Sequence, residues 1–175
     1  MDREEKDKLL EKLMIDYGNE LVRLAFSYVK DAEIAKDLVQ NTFIKCYNKL
    51  ETFRQDAQIK TWLYRITINE CKDYLKSWHY KMVQVKGFIH ETTKSILPST
   101  EKAVLEKYDQ AEMKDTIYSL PKVYREVVYL YYYDSLTAEE MAQVLDVSVN
   151  TVKTRLRRAK QRLESILKEA ELHGR

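Results

Sequence analysis

Between Ser148 and Arg162 the chain carries Lys153, Arg155, Arg157, Arg158, Lys160 and Arg162 and no acidic residue. At 100° per residue, Val149, Val152, Leu156, Ala159 and Leu163 fall within one apolar stripe. Asn150, Thr154, Arg157 and Arg158 point the other way, with Lys153 on one flank and Arg155 and Arg162 on the other. Amide, hydroxyl and guanidinium groups on one helical face suit base edges and phosphates in a major groove. The residues placed nearest DNA are Ser148, Asn150, Thr151, Lys153, Thr154, Arg157 and Arg158. A basic helix packed by its Val/Leu stripe and otherwise solvated has the same pattern, so the neighbouring segment decides. Thr137 and Glu140 form a capping box for a preceding helix with Met141, Ala142 and Leu145 at helical spacing. A turn falls at Asp146-Val147, and Ser148 offers a second N-cap. Two capped helices across a tight turn make a helix-turn-helix, and duplex DNA becomes the expected ligand.

A second constellation lies on Thr61–Lys76. Leu63, Ile66, Glu70 and Tyr74 lie on one side of this wheel, and Tyr64, Ile68, Cys71 and Leu75 on another. Between them runs a strip of Trp62, Arg65, Asn69, Lys72 and Lys76. An aromatic, an amide and three cations in line suit single-stranded DNA, because bases stack on rings at about 1–3 kcal/mol each while cations follow the phosphates. Phe53 and Arg54 in the preceding loop extend the strip. The competing reading is a core Trp62 with a solvated cationic edge.

The elements that must position these residues are helical. Three Gly and two Pro in 175 residues leave few breakers, and apolar residues recur at 3–4 spacing, so the fold class is all-α. Tyr17, Leu21, Leu24, Ala25 and Tyr28 mark one helix. Ile34, Leu38, Thr42, Phe43, Cys46 and Leu50 mark a second, begun near Asp31, whose carboxylate suits a helix N-terminus. The polar break Glu51–Gln58 precedes a third helix from about Lys60 to Trp78. Gly87, Pro98 and a Ser/Thr-rich tail then read as a linker. Helical pattern resumes near Glu101, and Pro121 suits a first helical position. The aromatic run Tyr129-Leu-Tyr-Tyr-Tyr133 reads as core packing before partner surface. The expected layout is residues 1–80 as one helical domain, 81–104 as linker and 105–175 as a second domain holding the helix-turn-helix.

Net charge is only +2, but it is segregated. Acidic residues gather in Asp2–Glu11, Asp31–Asp37 and Glu101–Asp115, away from the basic helix. The charged N-terminus lacks the apolar region of a signal peptide, and no apolar run approaches a membrane span, so direct membrane insertion is not expected. Cys46 and Cys71 read as reduced core thiols of a cytoplasmic protein. His79, His90 and His173 have no metal-ligand spacing with them. No cofactor is expected, and no nucleophile–base pair or phosphate loop points to an enzyme.

The two constellations, in this order, resemble bacterial RNA polymerase sigma factors of the extracytoplasmic-function group. Asp37-Leu-Val-Gln-Asn-Thr-Phe43 is similar to the family's polymerase-docking helix. Thr61-Trp-Leu-Tyr-Arg-Ile66 with Asn69 is similar to its −10 segment. Leu120-Pro121, Arg125-Glu126-Val127 and Leu136–Leu163 are similar to its −35 domain. Asp146 stands where the family usually has Gly, and Asn41 where an acidic residue is common. The resemblance implies docking through Asp37, Gln40 and Asn41 on the clamp coiled coil of the β′ subunit, with further contact to the β flap. It implies capture of a melted −10 base by the Glu51–Gln58 loop, Phe53, Arg54, Trp62, Arg65, Asn69 and Lys72. It also implies an anti-sigma partner, in many members membrane-anchored, and a stress or envelope-response regulon. The alternative is a stand-alone helix-turn-helix regulator binding duplex DNA, which would not need the Trp62–Lys72 strip.

Overall fold

A computed structural model of the chain describes residues 2–53, 58–86 and 111–173, and every regular element among them is helical. In chain order these are α1 (Arg3–Val29), α2 (Ala32–Lys49), α3 (Ile59–Lys86), α4 (Ala111–Ser119), α5 (Lys122–Tyr132), α6 (Ala138–Leu145) and α7 (Val149–His173), with a 3₁₀ turn at Leu50–Thr52. The all-α expectation holds.

Local chemistry sets the helix ends. Asp2 and Glu5 close a capping box at the start of α1, each side chain accepting from the other's backbone N–H. Lys30 ends α1 in the left-handed region (φ 57°), and its N–H donates to the Phe26 carbonyl at 2.8 Å. Asp31 then caps α2, accepting from Ile34 N–H at 2.9 Å. A connection this short forces α1 and α2 into an antiparallel pair. Leu13, Leu21, Leu24 and Ala25 of α1 share a core with Leu38, Phe43 and Cys46 of α2 and Leu63, Tyr64, Ile68 and Cys71 of α3. Each such aliphatic side chain stabilises the unit by about 1.5–3 kcal/mol through burial. Cys46 and Cys71 are free and buried, and burial raises their thiols to about 11 and about 12, with Glu70 adding to the rise at Cys71.

Three expectations are corrected. The third helix does not stop near Trp78 but runs to Lys86, because nothing between Trp78 and Gly87 breaks the pattern. The rest of the expected linker lies outside the described residues. Pro121 sits at the N-cap of α5 rather than at its first helical position, and its carbonyl accepts from Tyr124 and Arg125 N–H at 2.9 and 3.0 Å. The tyrosine run is split: Tyr129 and Leu130 are core, while Tyr131, Tyr132 and Tyr133 are exposed. Tyr131 and Tyr132 end α5 and Tyr133 caps it, so three successive positions turn through too much of the surface for one packing face to cover.

In the C-terminal unit Val127, Leu130, Met141, Val144, Leu145 and Val152 are buried together. A smaller cluster of Ile117, Leu120, Val128 and Ala159 ties α4 and α5 to α7. The two units touch: α1 packs on α5 and α3 on α6. Across this seam the Tyr28 hydroxyl donates to Glu126 Oε2 at 2.7 Å. Lys30 Nζ donates to the Tyr118 carbonyl, and Lys60 Nζ to the Asp134 carbonyl, each at 3.1 Å.

Candidate nucleic-acid interface

α6, its turn and α7 form the expected helix-turn-helix. Thr137 Oγ1 accepts from Glu140 N–H at 3.1 Å, and Glu140 Oε2 accepts from Thr137 N–H at 2.8 Å. Asp146 closes α6 with φ 57° and ψ 50°, a conformation an Asp side chain tolerates better than most. Ser148 Oγ accepts from Thr151 N–H at 3.1 Å and starts α7. Val152 and Ala159 are fully buried, whereas Ser148, Asn150, Lys153, Arg157 and Arg158 are exposed and Thr151 and Thr154 half-exposed. All seven residues placed nearest DNA are therefore accessible to solvent.

The other cations of α7 differ. Arg155 turns inward, donating to Glu126 Oε1 at 3.0 Å, with Glu126 itself buried. Glu126 thus holds both Arg155 and, from the other unit, Tyr28. Arg162 lies over the Tyr124 ring at 5.0 Å from its centroid. Lys160 stays exposed, about 6 Å from the rings of Tyr131 and Tyr132.

On α3, Leu63, Tyr64, Ile68 and Cys71 are buried, while Arg65, Asn69 and Lys76 are exposed and Trp62 and Lys72 half-exposed. Phe53 packs on Trp62 with centroids 4.8 Å apart and planes tilted by 41°, so the two aromatics of the strip are neighbours. Trp62 keeps an accessible part, which the reading as simple core would not leave. Arg54 lies outside the described residues. Arg65 Nη2 approaches Asp146 Oδ1 at 3.7 Å, so one end of the strip faces the turn of the helix-turn-helix.

On α2, Asp37, Gln40 and Asn41 are exposed along one face, and Ile44 continues it with 59% of its surface exposed. Sequence reasoning passed over Ile44. Its signal was an apolar residue lying off the Leu38–Cys46 stripe.

Residues 13–79 match the family model for sigma-70 region 2, and residues 110–163 match that for sigma-70 region 4. The RNA polymerase sigma factor SigV of Bacillus subtilis is 32% identical over 151 residues, covering 86% of each chain. The chain belongs to the sigma-70 family, in its extracytoplasmic-function group. The ECF RNA polymerase sigma-E factor of Escherichia coli is 30% identical over 165 residues, 90% of this chain and 86% of that one. Among solved structures, the sigma factor RpoE in complex with the anti-sigma factor NepR from Bartonella quintana aligns with a TM-score of 0.72 and 25% identity, covering 92% of this chain and 98% of that one. This sigma factor's region 2 carries the α2 face and the α3 strip, and its region 4 carries the helix-turn-helix. A stand-alone regulator is not favoured, because the match extends through the N-terminal unit that such a protein would not need. No helix among the described residues is long and apolar enough to cross a membrane.

Proposed function

We propose that this promoter-specificity subunit divides promoter recognition between its two units, α7 reading the −35 element and the α3 strip holding the melted −10 strand. The single observation that carries the division is the contrast between the two faces. The α7 face is an exposed amide, hydroxyl and guanidinium surface on a capped helix-turn-helix. The α3 face pairs Phe53 and Trp62 with Arg65, Asn69 and Lys72. Hydrogen-bonding groups on a rigid helix suit duplex base edges, and rings among cations suit unpaired bases.

On this reading Ser148, Asn150, Thr151, Lys153, Thr154, Arg157 and Arg158 contact the −35 duplex. Phe53, Arg54, Trp62, Arg65, Asn69 and Lys72 hold the −10 strand. Residues 1–80 and 105–175 act as separate functional domains. Asp37, Gln40 and Asn41, joined by Ile44, form the face for the β′ clamp coiled coil, and region 4 meets the β flap. The subunit contributes no catalytic chemistry and acts from the cytoplasm. The resemblance to a sigma factor crystallised with its anti-sigma factor supports an anti-sigma partner here; that this partner is anchored in the membrane, as in many members, is a further part of the proposal.

Reconstitution tests the proposal. Added to core RNA polymerase, the chain should enable initiation on promoters with defined −35 and −10 elements. Failure with intact core enzyme on several such promoters would reject it. Asn69→Ala should impair strand opening, seen by permanganate footprinting, more than duplex binding. Normal melting in that variant would remove Asn69 from the strand-holding set.

A further inference from the structure

Asp134 lies between α5 and α6, in the region 4 unit, yet the groups around it come mostly from region 2. It is 6% exposed, and its Oδ2 is buried without a hydrogen-bond partner. Lys60 of α3 spends a hydrogen bond on the Asp134 backbone carbonyl at 3.1 Å and stands 3.9 Å from Glu20 of α1. The single proton of the Tyr64 hydroxyl goes to Glu20 Oε2 at 2.8 Å. The titratable and charged groups facing Asp134 are thus Glu20 and Arg23 of α1, Lys60 and Tyr64 of α3, and Tyr129 of α5. Two carboxylates from different units share this pocket, and a carboxylate oxygen with no donor in a buried site is better occupied by a proton than by a charge.

We propose that Asp134 is a proton-operated latch: protonated, it lets the helix-turn-helix unit close against α3; ionised, it loosens that closure. Burial first, and the Glu20 charge second, push the carboxyl up to about 7, against the pull of Lys60 and Arg23. An Asp free in solvent titrates near about 3.9. Closure therefore takes up a proton between about pH 4 and about pH 7, and across that window the closed form loses up to about tenfold in favourability per pH unit. Below the window closure is at full strength, and above it the loss is complete and constant. In the closed form Asp146 reaches Arg65 of the α3 strip, so opening frees a residue assigned to the −10 strand. That last consequence rests on the proposed division of labour, whereas the latch itself does not.

Small-angle X-ray scattering of the full chain from about pH 5 to about pH 8 at constant ionic strength tests it. The wild type should pass from compact to extended as pH rises, levelling off above about 7, with helical circular dichroism unchanged. Asp134→Asn, which cannot ionise, should stay compact throughout. Glu20→Gln, which removes the repelling charge, should let the closed form tolerate an ionised Asp134, so its expansion at high pH should be smaller than the wild type's and level off at lower pH. Scattering that is flat with pH in the wild type, an unaltered transition in Asp134→Asn, or an undiminished expansion in Glu20→Gln each overturns the latch. A failure of the sigma reading would appear instead in the transcription assay and leave the scattering untouched.

Discussion

Arg157 and Arg158 are both exposed on α7, while Arg155, two or three residues away, is held by Glu126. A guanidinium that is not consumed inside the protein can make a bidentate bond to guanine, so Arg157→Ala or Arg158→Ala should each weaken −35 binding by about 1–3 kcal/mol. Salt titration on matched and altered sites separates the two kinds of contact: equal loss on all sequences marks a phosphate contact, selective loss a base contact. Asp146 offers an opposite test. Its left-handed backbone favours Gly, and its approach to Arg65 is an exposed pair of little energy. Asp146→Gly should therefore stabilise region 4 by about 0.5–1 kcal/mol, read as a higher urea midpoint at unchanged slope. The thiols at Cys46 and Cys71, buried and raised, should react with a thiol reagent at neutral pH only after denaturation.

At the scale of the helix, what the sequence disclosed was what is local. The caps at Asp31, Thr137 and Ser148 could be read because donor and acceptor lie three residues apart. The inward turn of Arg155 could not, because Glu126 stands 29 residues away and Arg155 sits at the edge of its stripe. The exposed tyrosines were hidden for a related reason: aromatic type predicts burial on average, and only the packed neighbours decide which ring is left outside. α3 continues past Trp78 because helices end where capping or sterics end them, and an apolar stripe does not mark that point. Loss of the Arg155 partner gives the measurable consequence. Arg155→Met leaves Glu126 buried with one neutral donor, and region 4 should lose about 3 kcal/mol by denaturant titration. A loss below about 1 kcal/mol would show that water replaces the guanidinium there.

At the scale of the whole molecule, each unit's class and its accessible chemistry were legible, and the way the units meet was not. Tyr28 and Glu126 are 98 residues apart, and no periodicity encodes that pairing. Tyr28→Phe removes the hydroxyl without opening a cavity, and Glu126 keeps Arg155. Each unit should remain folded while their docking weakens by about 1 kcal/mol, seen as faster amide exchange on the α1-facing side of α5 with the core of α3 unchanged. Uniform acceleration across both units would mean that Tyr28 supports the fold rather than the docking.

The seam between the units is stitched by Tyr28 to Glu126, Lys30 to a carbonyl, Lys60 to a carbonyl and Arg65 to Asp146. Every one of these groups finds an equivalent partner in water once the units part. Parting therefore leaves wetted stitches rather than a row of stranded ones, but the buried cluster that runs from one unit into the other, with Phe26 edge-on against Tyr118, is bared at the same time, so an opened chain is one with apolar surface to cover.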